Sequence, residues 1–156
     1  MQKITTFLTF DTQAEEAAQL YVSTFKNSRI KSVTRYPEGG PRPAGMAMTV
    51  AFELEGQSFM ALNGGSHFKF TDAISLSVDC HTQAEIDELW DKLLAGGGAP
   101  VQCGWLRDRF GLSWQIVPAM MGELLGGPDG ARSGRVMQAM LKMVKLDLAE
   151  LKRAAE

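Results

Sequence analysis

The tetrapeptide Thr12-Gln13-Ala14-Glu15 returns as Thr82-Gln83-Ala84-Glu85. Each copy follows a short apolar segment that reads as a strand and opens an amphipathic segment that reads as a helix. A chain that is one unit written twice has few architectures open to it, because a unit of that size cannot bury its own sheet and must pair with its copy. The concave space between paired sheets is then where a ligand is expected to sit.

The order of elements repeats as well. Ile4 to Phe10 reads as a strand, Thr12 and Glu15 have capping-box spacing, and Ala17, Ala18, Tyr21, Val22 and Phe25 form the buried stripe of the helix they open. Arg29 to Tyr36 is the next strand, and the Pro- and Gly-dense stretch from Pro37 to Gly45 is a loop. Met46 to Leu54 and Gln57 to Leu62 form a hairpin across Glu55-Gly56. In the second unit Ile74 to Asp79 alternates with period two, Thr82 caps a helix striped by Ile86, Leu89, Trp90, Leu93 and Leu94, and Gly96-Gly97-Gly98 stops it. Val101 to Leu106 and Ser113 to Val117 follow as strands around a turn at Asp108 to Gly111. The expected class is α+β: two paired βαβββ modules, 1–65 and 72–118, making a curved, cleft-bearing sheet, with a helical extension over 119–156. In that extension Val136, Met140 and Met143 share one helix face, and Asp147 with Glu150 opens a last helix. Its Met-rich stripe suits packing on the parent sheet or a dimer contact.

Composition narrows the function classes. A length of 156 residues with 45% hydrophobic content builds one core without staples. The net charge of -2 and the lack of a dense Lys/Arg stripe argue against nucleic acid as partner. No segment approaches the roughly 20 apolar residues of a membrane span, so a cytoplasmic protein is expected. Cys80 and Cys103 form no C-x-x-C pair and read as reduced thiols; a Cys80, His81, Cys103 and His67 metal cluster has no spacing signature. No Ser/His/Asp or Cys/His pattern marks a nucleophile, so whether the chain is an enzyme stays open.

Several stretches resemble the PhnB-like branch, labelled demethylubiquinone methyltransferase-type, of the vicinal oxygen chelate superfamily that includes glyoxalase and bleomycin resistance proteins. They are Ile4 to Phe10 with Ala14-Glu15-Glu16-Ala17, Arg35-Tyr36, Leu62-Asn63-Gly64-Gly65 with His67 to Phe70, and Cys103-Gly104-Trp105-Leu106 leading to Ser113-Trp114-Gln115-Ile116-Val117-Pro118. The likeness extends to Val136-Met137 and Ala139-Met140. It implies a cleft with inward-facing His or Glu metal ligands and, from the label, S-adenosylmethionine-dependent methyl transfer.

Strand phase says what this chain carries at those places. With Ile74, Leu76 and Val78 toward the helix, Ala73, Ser75 and Ser77 face the cleft, and Ala73 stands where metal-binding relatives put His. Gln115 stands where they put Glu. Thr5, Phe7 and Thr9 face inward on the first strand, and Phe59, Ala61 and Asn63 are expected opposite them. Thr5, Ala61, Ala73 and Gln115 offer none of the donors a transition metal prefers. A metal-free cleft is therefore expected, needing no cofactor, with Asn63, Ser75 and Gln115 as hydrogen-bonding groups. Phe7, Phe59, Phe68, Phe70 and Trp105 would be its apolar walls. The ligand is then a small, partly apolar molecule bound by a homodimer. Two alternatives stay open: a metal-dependent lyase, isomerase or dioxygenase using Glu53 and His67, and the methyltransferase of the label, for which no Gly-rich strand-to-helix loop is present.

Overall fold

A computed structural model describes residues 2–156, and the chain divides into two compact units, Met1–Lys69 and Phe70–Glu156. The first unit runs β1 (Thr6–Phe10), α1 (Ala14–Thr24), β2 (Arg29–Arg35), β3 (Ala47–Leu54) and β4 (Gln57–Asn63). The second runs β5 (Leu76–Cys80), α2 (Gln83–Leu94), β6 (Ala99–Pro100), β7 (Trp105–Arg107) and β8 (Ser113–Pro118), then α3 (Met121–Leu125), α4 (Gly130–Leu141) and α5 (Leu148–Ala154). The duplication is topological: the sheets have orders β1-β4-β3-β2 and β5-β8-β7-β6, parallel only between β1 and β4 and between β5 and β8. The fold is α+β, two mixed four-stranded sheets with helices.

In the first unit Tyr21 of α1 packs against Phe52, which stacks on Phe59 with ring centroids 5.5 Å apart. Val50, Phe52 and Leu54 are buried in one phase, and the Glu55-Gly56 turn between β3 and β4 has positive φ at both residues, as a two-residue hairpin needs. In the second unit Ile86, Leu89, Trp90 and Leu93 of α2 are buried, as are Leu106, Trp114 and Ile116 of the sheet.

The identical tetrapeptides do different work. Thr82 accepts a hydrogen bond from the Glu85 N–H, and the Glu85 carboxylate accepts one from the His81 N–H. Gln83 then grips the C-terminal extension, donating to the Leu146 carbonyl and accepting from the Leu148 N–H. In the first copy no side chain of the Thr12-Gln13 turn caps α1. The expected Thr12 cap is corrected: Asn63 at the end of β4 accepts from the Ala14 N–H at 2.9 Å, and Glu15 pairs with Arg35.

Two strands also differ from expectation. Ile74 is 67% exposed and precedes β5, which starts at Leu76. The stretch from Val101 to Leu106 breaks because Cys103 and Gly104 both have positive φ, turning their N–H groups to the Met143 and Val144 carbonyls. Gly104 is required there, since a Cβ would stand 2.9 Å from Leu146 and from the Ile116 carbonyl oxygen. The extension so anchored has its own apolar cluster of Leu124, Val136, Leu146 and Leu151, with Met140, Met143 and Val117 packed on it.

Candidate functional site

Each sheet turns one face to its helix, and the opposite face is the other place where side chains gather. In the second unit that face carries the side chains alternate to Trp114 and Ile116. Gln115 donates through Nε2 to Ser75 Oγ at 2.9 Å, and Trp105 is its partner across the ladder from β7. Beside them Arg107 donates to the Asp72 carboxylate through Nε at 3.0 Å and through a second nitrogen, and the buried Ser113 hydroxyl donates to the same carboxylate. Arg107, with Ser113, holds the Asp72 carboxyl down at about 2. This clamp fastens the chain just before Ser75 to the β7/β8 hairpin. The sequence carried half of that signal: Arg107 and Ser113 pair symmetrically about the Asp108 to Gly111 turn, whereas Asp72 lies 35 residues before Arg107. Phe70 is half-buried in the same unit.

In the first unit Thr5, Phe7, Lys31, Ala51, Ser58 and Met60 line a groove of about 530 Å³, with Phe7 55% exposed. Phe59 borders it, but its ring is turned to the core against Phe52. The expectation that Phe59, Ala61 and Asn63 share a face with Phe7 is corrected. The parallel ladder sets Phe59, Ala61 and Asn63 beside Thr6, Leu8 and Phe10, so they belong to the helix face. Asn63 is 1% exposed and spent on backbone, capping α1 and donating to the Ala47 carbonyl at 2.8 Å. Phe68 is half exposed; its ring lies near Gly64, as does the Thr9 methyl.

The donors present do not fit a metal ion. Among the described residues no three His, Cys, Asp or Glu side chains gather to hold one. Glu53 pairs with Arg29 at 3.2 Å and Lys31 at 3.5 Å, and Arg29 foremost holds its carboxyl below the ordinary range. Glu53 lies opposite Ser58 at the start of β4, while His67 follows its end at Asn63, roughly 15 Å along the strand by its rise. One ion cannot take both. Burial, with Glu85 and Asp79 nearby, pushes the Cys80 thiol up to about 12 and keeps it protonated.

The sequence profile of the 3-demethylubiquinone-9 3-methyltransferase family matches residues 2–117. The chain belongs to that family. Among solved structures, the PhnB protein of Bacillus cereus, named with the same methyltransferase label, is 42% identical; the match covers 76% of this chain and 100% of that one, with a TM-score of 0.70. A Pseudomonas aeruginosa protein shares the fold at 20% identity and a TM-score of 0.61, over 74% of this chain and 96% of its own. No curated protein matches. The family is PhnB-like. Its profile stops at Val117, so the likeness expected through the C-terminal helices is corrected: α3, α4 and α5 lie outside it.

Proposed function

We propose that this PhnB-like protein binds a small, partly apolar organic molecule without a metal ion, against the sheet faces turned away from the helices. The observation that carries the reading is the Gln115 to Ser75 hydrogen bond of 2.9 Å beside Trp105, at the strand position where a metal-dependent relative would need a carboxylate. An amide donating to a hydroxyl is a poor ligand set for a transition metal and a good one for a carbonyl or hydroxyl group of an organic ligand. Among the described residues nothing donates to Gln115 Oε1, which is left as an acceptor. Trp105 supplies the apolar contact within the second unit; in the first unit the groove bounded by Thr5, Phe7 and Met60 is a separate apolar surface of suitable size.

The test is a small-molecule thermal-shift screen on the purified chain, with elemental analysis of the same sample. Hits are expected to lose binding about tenfold or more in Gln115→Leu, the cost of one unpaired polar group. Stoichiometric zinc, iron or manganese, or hits indifferent to the substitution, would overturn the reading. A cytoplasmic homodimer belongs to the same proposal; the two unpaired cysteines support the reducing compartment. No helix among the described residues is long and apolar enough to cross a membrane. Methyl transfer is the second reading, favoured by the family's name alone. Neither strand-to-helix connection, Asp11-Thr12-Gln13 nor His81-Thr82, contains the glycines that would let a nucleotide-bearing cofactor approach the backbone. Calorimetry with S-adenosylmethionine decides it.

A further inference from the structure

Beyond the carboxyl ends of β1 and β4, the loop after Tyr36 brings Arg42 against the segment after Asn63. Arg42 Nη2 donates to the Asp11 carbonyl at 3.3 Å and to its carboxylate at 3.4 Å, both long for charge-assisted bonds. Arg42 Nε is buried and has no acceptor among the described residues. Asp11 therefore holds the guanidinium in place without saturating it, and an unsatisfied buried donor is costly to keep. Arg42 Nη1 and His67 Nδ1 each lie 3.3 Å from the point where a Cβ on Gly65 would stand. The two nitrogens are thus less than about 7 Å apart, a span that one group with two or three oxygens can bridge by hydrogen bonds. Gly65, at φ +107, keeps a side chain out of that space. Phe68 lies against the His67 ring with centroids 4.2 Å apart, adding an aromatic wall.

We propose that Arg42 and His67 form an oxyanion-binding site that takes a carboxylate or phosphate group of a small molecule, with Phe68 as its apolar side. Arginine suits this because its planar fork matches such groups while a second edge stays tethered. Asp11 is the internal competitor that orients the guanidinium. The inference stands apart from the small-molecule reading above and shares no residue with the groups that carry it.

The experiment is an NMR titration of the full chain at constant pH and ionic strength, with inorganic phosphate in one arm and acetate in the other. It follows the Arg42 Nε–Hε and His67 ring resonances. Saturable shifts in at least one arm are expected, and the arm that saturates more tightly names the oxyanion class. Arg42→Gln should weaken binding at least tenfold and His67→Gln several-fold, while Asp11→Asn should tighten it by removing the competitor. Should Arg42→Gln fail to fold, Arg42→Lys, which keeps the charge and loses the fork, should bind several-fold more weakly. No saturation in either arm, unchanged affinity in the folded Arg42 variant, or weaker binding in Asp11→Asn would each overturn the proposal; the last would make Arg42 a loop strap and nothing more.

Discussion

Asp72 shows how much one side chain can organise. Its carboxylate takes hydrogen bonds from Arg107 and from the buried Ser113 hydroxyl, and these fasten the segment leading to Ser75. The folded chain binds the Asp72 proton less readily than the unfolded one, with the carboxyl lowered from 3.8 to about 2. Its stabilisation is therefore complete above about pH 4 and is lost as the pH falls through 2. Urea titrations from pH 6 to pH 2 should show an acid limb that Asp72→Asn flattens; an unchanged limb would mean that other carboxylates set it. At this scale the sequence was readable where one residue's neighbours are local. Asp108 is an example: it accepts from the Phe110 and Leu112 N–H groups within its own turn, and from Trp114 Nε1 just beyond. Asn63 was not readable, because its partners Ala14 and Ala47 lie 49 and 16 residues away.

The two helices make the same point for elements. Their opening tetrapeptides are identical, yet Thr82 caps α2 while Thr12 caps nothing. Thr82→Ala should cost about 1 kcal/mol, the usual loss of a cap, whereas Thr12→Ala should stay within about 0.5 kcal/mol of wild type. Chemical denaturation of the two variants checks this, and equal losses would contradict the assignment of Asn63 as the cap of α1. The strands were legible wherever one face is buried, as in β3 and β8, since period-two alternation reports burial directly. They were illegible at two places. Ile74 keeps the alternating pattern but stands outside β5, and β4 was assigned to the wrong face. Phase alone says which residues go together and leaves open which side they face; the ladder with β1 decides that.

At the scale of the molecule, the C-terminal extension sets this chain apart from the span its family profile covers. Within the second unit it is bound to the sheet and α2 by the Cys103 and Gly104 N–H groups, by the Gln83 amide, and by an ion pair between Lys145 and Asp87 at 2.8 Å. Ending the chain after Pro118 strips the cover from Val117 and leaves those groups to water. The loss of two backbone hydrogen bonds and part of an apolar cluster should destabilise the second unit by about 3 kcal/mol or more. Calorimetry of the shortened chain reads this as a lowered melting temperature. An unshifted melting temperature would make the extension an appendage without structural work.

The sequence by itself determined the duplication, the order of elements, the family, and the residues that alternate into the two cores, because repeats, turn residues and hydrophobic period are local properties of the chain. The tertiary structure decided what could not be local. It turned Asn63 and Phe59 to the core, gave identical tetrapeptides unequal tasks, paired Gln115 with Ser75, and brought Arg42 to His67. Each of these depends on groups distant in sequence, whose meeting is settled only when the sheets close their ladders and the loops find the backbone atoms left over.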